Sequence, residues 1–164
     1  MDLPVTLLDK RGEPFTVRRW APADLAALEA MYDAFEPKRI AQGLPPQDGV
    51  ARRAWLAAIL EQGFHTVVLM DDQLLGHGML LPYNGTVELA NFLHQSIRNR
   101  GIGTALNQVL VDLAREAGYD RLWLSVEPSN RAAIRSYQKA GFQRMPATIW
   151  APEIEMQILL ERTS

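Results

Sequence analysis

Apolar residues recur along this chain in two rhythms. Short runs, alternating or continuous and bounded by turn-forming residues, predict strands over 5–8, 15–20, 65–70, 74–81, 87–93 and 121–127, with two more after Phe142. Helical spacing separates them. Leu25, Leu28, Tyr32 and Phe35 share one face behind Pro22, a residue suited to a first helical turn. Trp55, Leu56, Ile59 and Leu60 mark a second helix that ends at Gly63. Ile102, Leu106, Val109, Leu110, Leu113 and Ala117 form the clearest stripe, closed by Gly118. A fourth helix follows Pro128 under a Ser129 or Asn130 cap and stops at Gly141. Asp71-Asp72-Gln73 predicts a tight turn between two hairpin strands. This order reads as one α+β domain over 1–164 with a central mixed sheet and no internal repeat. The longest expected loop, 36–49, carries three prolines and two glycines and is a candidate for lining a site.

Composition narrows the chemistry. A chain of 164 residues that is 48% hydrophobic is long enough for a full core, since domains near this size bury roughly 70% of their unfolded surface. It contains no cysteine, so disulfides, thiolate metal sites and a cysteine nucleophile are excluded. His65, His77 and His94 fall on separate segments without metal-ligand spacing, and no metal is expected. Seventeen Lys and Arg against nineteen Asp and Glu give a formal charge of -2, without the basic excess of a general nucleic-acid binder. The first residues, Met1 to Thr6, lack a secretory pattern, and no uncharged run is both long and apolar enough to span a bilayer. A soluble cytoplasmic protein acting on a small molecule or protein is the expectation.

One loop offers chemistry. Arg98-Asn99-Arg100-Gly101-Ile102-Gly103-Thr104 stands between a strand and the third helix. Its glycines let the backbone present N–H groups, the helix adds its positive end, and Arg98 and Arg100 can add charge, which together suit a pyrophosphate. The same pattern also fits a plain turn and helix start. A nucleotide-triphosphate loop needs Gly-Lys, which occurs nowhere here. A dinucleotide fingerprint needs a small residue where Leu106 stands, although Glu127 at the end of the next strand partly mimics that fold.

A second pattern lies downstream: Asn130-x-x-Ala133, then Tyr137, then Gly141-Phe142. With Arg98-x-x-Gly101-x-Gly103 before it, this stretch closely resembles the GNAT superfamily of acetyl-CoA-dependent N-acetyltransferases over residues 87–142, and more loosely from Phe15 onward. The resemblance implies a mainly antiparallel mixed sheet flanked by about four helices. It implies that a bulge in the strand ending at Leu93 splays it from the next, opening a wedge for the pantetheine arm of acetyl-CoA. The amides of Arg98, Asn99, Arg100, Gly101, Ile102, Gly103 and Thr104 would hold the pyrophosphate. Leu93 would pair its main chain with the arm and polarise the thioester, and Asn130 and Ala133 would lie against the cofactor. Tyr137 would be the general acid for the leaving thiolate. Glu88, on the strand of Leu93, matches a position where many of these enzymes carry a glutamate and is the candidate base; Asn91 and His65 are alternatives for ordering a water. His94 and Gln95 depart from the family's usual run, in a place where its cofactor contacts are mostly main chain.

The implied activity is direct transfer of acetyl from acetyl-CoA to a primary amine, without a covalent enzyme intermediate. A silent acyl-CoA-binding module and a dinucleotide enzyme are the alternatives. Phe35, Pro37, Leu44, Pro45, Pro46 and Trp150 suggest an apolar lip for the acceptor, and Glu36, Asp48 and Glu153 are acids able to attract a cationic one. Neither set separates a small amine from a protein amino group. Many family members form homodimers, a point on which this sequence carries no signal.

Overall fold

The computed structural model describes residues 1–38, 44–147 and 149–160. Among these, eight strands form one sheet: β1 (Val5–Leu8), β2 (Pro14–Arg19), β3 (Phe64–Met70), β4 (Gln73–Tyr83), β5 (Thr86–Leu93), β6 (Arg121–Val126), β7 (Gln143–Arg144) and β8 (Ile154–Leu159). Their spatial order is β1-β2-β3-β4-β5-β6-β8-β7. The β5–β6 pair is parallel, as a helical crossover allows, and the other neighbours are antiparallel. Four α-helices cover the sheet: α1 (Leu25–Ala34), α2 (Gly49–Leu60), α3 (Ile102–Glu116) and α4 (Arg131–Lys139). None of the described helices is long and apolar enough to cross a membrane.

The helices divide by face. α1 and α2 pack Leu28, Met31, Tyr32 and Leu56 onto Val67 and Leu74, whereas α3 and α4 pack Ile102, Leu106, Leu110 and Ile134 onto the face that carries Val68, Leu80 and Leu89. Each fully buried aliphatic side chain of this kind contributes roughly 1.5–3 kcal/mol. The apolar stripes mark these faces with two exceptions. Leu25, the first residue of α1, is packed on one side only and is 40% exposed, and Met31 completes the buried stripe instead. Ala117 lies past the end of α3, and Ala114 takes the buried place. α2 starts earlier than its apolar residues indicate, because Asp48 caps it by accepting the Ala51 N–H at 2.8 Å ahead of a solvent-facing first turn. The expected loop 36–49 thus ends at this cap, and its residues 39–43 lie outside the described residues. Asp71 and Asp72 both adopt positive φ, 52° and 61°, as a two-residue hairpin turn requires.

The sheet opens in one place. β5 and β6 pair only at Val87 with Leu122 and at Glu88 with Trp123, although β5 continues to Leu93 and β6 to Val126. The expected splay is present, but not by the expected means. β5 keeps unbroken register with β4 from Leu93 opposite Gly76 to Thr86 opposite Tyr83, with no bulge, and the register shift of this region lies between Val68 and Leu69 of β3. Each strand of the wedge stays with its outer neighbour: β6 pairs with β8 along its whole length, from Arg121 opposite Leu159 to Val126 opposite Ile154.

Candidate active site

The chain leaving β5 builds the mouth of the wedge. It passes through a 3-10 turn at Gln95–Ile97 and enters α3 at Gly101. Asn99 (φ 62°) and Gly101 (φ 79°) are left-handed, which curls the backbone and turns successive N–H groups to one side. Gly101 has no side chain with which to cap α3, and the first bond into the helix runs from the Ala105 N–H to the Gly101 carbonyl at 3.2 Å. The N–H groups of Ile102, Gly103 and Thr104 therefore sit uncapped at the positive end of the helix dipole, the geometry of an anion site.

A cleft of about 650 Å³ runs from this loop into the wedge. Leu93, Arg98, Asn99, Gly101, Gly103 and Thr104 line one side, and Asn130, Ala133 and Tyr137 line the other. Two residues of the loop turn their side chains elsewhere. Ile102 is buried in the core. Arg100, expected to offer charge to a ligand, instead donates from Nε to Asp9 at 2.9 Å and from its terminal nitrogen to Glu13 at 2.6 Å, so two carboxylates from the β1–β2 turn already neutralise it. Arg98 is engaged as well, donating to the Leu93 carbonyl at 3.0 Å and to the Glu36 carbonyl while its guanidinium lies 4.9 Å over the Phe35 ring. It braces the end of α1 against the loop.

The far wall comes from α4. Asn130 caps that helix by accepting the Ala133 N–H at 3.2 Å and still faces the cleft. Tyr137, two helical turns on, packs edge-on to Phe142 with ring centroids 5.8 Å apart. Its hydroxyl makes no hydrogen bond among the described residues, and burial pushes the phenol up to about 12. Beneath it runs a polar chain that the sequence did not disclose: Asn91 donates to Asn107, Asn107 donates to Ser136 at 3.2 Å, and Ser136 meets Thr104 at 2.9 Å. This chain ties β5, α3 and α4 together at the cleft floor. A signal for Asn107 existed, since it lies one turn after Gly103 and three residues before buried Leu110, on the apolar side of its helix.

Glu88 stands where the β5–β6 pairing ends. Phe92 of the same strand packs with α1 and α2, so by strand alternation Glu88 points to that face and not into the cleft wall beside α3. Burial raises its pKa, and the charges of Glu153 and Glu155 raise it further.

His65 and His77, far apart in sequence, meet across β3 and β4 on the α1 face. His65 Nε2 lies 2.6 Å from the Gln62 carbonyl and must donate to it. Neutral His65 then accepts through Nδ1 from His77 Nε2 at 2.9 Å, and His77 Nδ1 accepts from the Tyr32 hydroxyl at 2.6 Å. Protonating either ring breaks this one-way chain. Accordingly, burial and then the neighbouring His65 push His77 down to about 3, and burial lowers His65 too. Unfolded, both titrate near 6.5. Below that pH the unfolded chain binds protons that the folded one refuses, so stability is full above pH 6.5 and declines toward pH 3. For His77 the slope reaches about 1.4 kcal/mol per pH unit, and His65 adds to it in the same direction. Urea denaturation at pH 7 and pH 5 measures it, and equal midpoints would contradict a neutral pair.

The wedge, the uncapped helix start and the tyrosine wall agree with one finding from comparison. Residues 28–142 match the acetyltransferase (GNAT) family. The chain belongs to that family. It is 30% identical over 137 residues to the L-methionine sulfoximine/L-methionine sulfone acetyltransferase of Pseudomonas paraeruginosa, an alignment spanning 78% of this chain and 80% of that protein. Among solved structures, the GNAT domain of S. lividans PAT is similar with a TM-score of 0.80 at 16% identity, over 96% of this chain and 97% of that one. A GNAT phosphinothricin acetyltransferase from Sinorhizobium meliloti, in complex with AcCoA, has a TM-score of 0.71 at 20% identity, over 91% and 90%. This chain is thus a GNAT acetyltransferase.

Proposed function

We propose that this GNAT acetyltransferase moves the acetyl group of acetyl-CoA directly to a primary amine, with the cleft between β5 and β6 as its donor site. The observation that carries this reading is the two-residue β5–β6 pairing, which leaves the β6-facing edge of β5 without a strand partner beyond Glu88, beside the uncapped amides of α3. Those amides and Asn99 hold the pyrophosphate, the Leu93 main chain pairs with the pantetheine arm and polarises the thioester carbonyl, and Asn130 and Ala133 flank the arm. The amine nitrogen attacks the acetyl carbon, the carbon–sulfur bond breaks, and the sulfur leaves with the electron pair. Tyr137, neutral at physiological pH, donates its proton to that sulfur and regains one from solvent.

Glu88 takes the proton that the ammonium acceptor must lose. On this reading Glu88→Gln lowers kcat/KM about tenfold to a hundredfold at neutral pH and recovers as pH nears the amine's own pKa. Profiles of kcat/KM against pH check it, and a variant profile of wild-type shape removes Glu88 from the mechanism.

A relative of which this chain covers 80% is an L-methionine sulfoximine/L-methionine sulfone acetyltransferase, so we infer an acceptor of amino-acid size. The test is release of CoA thiol from acetyl-CoA over methionine sulfoximine, methionine sulfone, other amino acids, aminoglycosides, polyamines and peptides. The cysteine-free protein adds no thiol background. Release with amino acids supports the reading, release with peptides alone overturns the acceptor size, and silence despite confirmed acetyl-CoA binding favours a non-catalytic module.

A further inference from the structure

The β1–β2 turn, which carries no family pattern, is fastened to the cofactor loop. Asp9 accepts the N–H groups of Arg11 at 2.8 Å and Glu13 at 2.9 Å, which shapes the turn, and also binds Arg100. In return the Arg100 carbonyl accepts the Lys10 N–H at 2.8 Å. Lys10 is thereby laid along the start of α3. A Cβ placed on Gly101 would come within 3.0 Å of Lys10 Cγ and 3.3 Å of Cε, so the lysine stem occupies the space that the glycine leaves open. The same side chain lines the cleft, beside Asn99, Gly103 and Thr104, and its ammonium makes no ion pair among the described residues. Arg100 is closed off by two carboxylates, whereas Lys10, bonded to its carbonyl, faces the cleft. The loop's side-chain charge has in effect been handed from Arg100 to a residue ninety positions earlier in the chain.

We propose that Lys10 is a phosphate ligand of the donor site, placing its ammonium on the CoA pyrophosphate held at the start of α3. This rests on the donor site proposed above. A lysine acts there as a mobile point charge at the open side of a site whose other donors are fixed backbone amides. Asp9 and Arg100 act through it as positioning residues.

Isothermal titration calorimetry of the full chain with CoA, and separately with dephospho-CoA, tests the assignment. Lys10→Met weakens CoA binding about tenfold, and the loss shrinks at high ionic strength. Lys10→Arg restores affinity to within about threefold. Dephospho-CoA suffers the same loss as CoA, because the pyrophosphate is common to both. Equal affinity of wild type and Lys10→Met overturns the proposal. A loss confined to CoA overturns the pyrophosphate assignment and places the lysine on the terminal phosphate. Failure of the wild-type protein to bind CoA overturns the donor site itself, and with it this assignment.

Discussion

Replacing Tyr137 by phenylalanine lowers kcat about a hundredfold and changes the Kd for acetyl-CoA by less than about threefold. General acid catalysis contributes roughly 10²–10⁴ in rate, and Tyr137 is the group on the cleft wall assigned to protonate the leaving thiolate. The substitution keeps the ring and its 5.8 Å packing on Phe142. It removes a hydroxyl with no hydrogen-bond partner among the described residues, so thermal stability stays near wild type. The phenol's pKa of about 12 keeps the group protonated across the working range, and the pH profile of the wild-type enzyme shows no descending limb from Tyr137 below pH 10. Steady-state rates with calorimetric binding decide the matter. A kcat within twofold of wild type would remove Tyr137 as the acid.

Gly63→Ala is expected to destabilise the fold by about 3 kcal/mol or more, a fall of roughly 6–12 °C in Tm for a domain of this size. Gly63 joins α2 to β3 with φ at 71°, and an added Cβ would stand 2.1 Å from the Leu80 carbonyl oxygen of β4. Backbone cannot step aside as a side-chain tip can. The Leu80 carbonyl is in the strand that pairs with β3 and β5, so relief of the clash disturbs both ladders. Gly118→Ala separates the two contributions. Its φ of 87° imposes a similar conformational strain, but its Cβ meets nothing within 4 Å, so it costs only about 1 kcal/mol. Thermal melts of the two variants check the difference, and equal losses would show that strain alone is at work.

Elements with strong pattern were legible in the sequence because their apolar positions are decided locally: the Ile102–Leu110 stripe of α3, the continuous buried runs of β3 and β4 and the alternation at the start of β5 are burial patterns written residue by residue. The donor loop was legible for the same reason, since its glycines and the following helix are contiguous. What escaped was set by partners distant in the chain. Arg100 reads as a ligand until Asp9, 91 residues away, is brought against it. His65 and His77 read as isolated until strand pairing makes them neighbours. The start of α2 escaped for a different reason: its first turn carries exposed Val50 and no apolar face, and a single capping aspartate places it. The wedge was expected from resemblance, yet the pairings that flank it, β5 with β4 and β6 with β8, are recorded by no local pattern near Leu93.

The one-way chain from Tyr32 through His77 and His65 to the Gln62 carbonyl has an evolutionary consequence. Exchanging His77 alone for a hydrocarbon strands a phenol at one end and an imidazole nitrogen at the other, two buried polar groups without partners from one mutation. Exchanging all three for apolar residues frees only the carbonyl of exposed Gln62, which water can reach. Descendants of this sequence thus pass between the two states across a valley, and the three positions are inherited as a set or abandoned as a set.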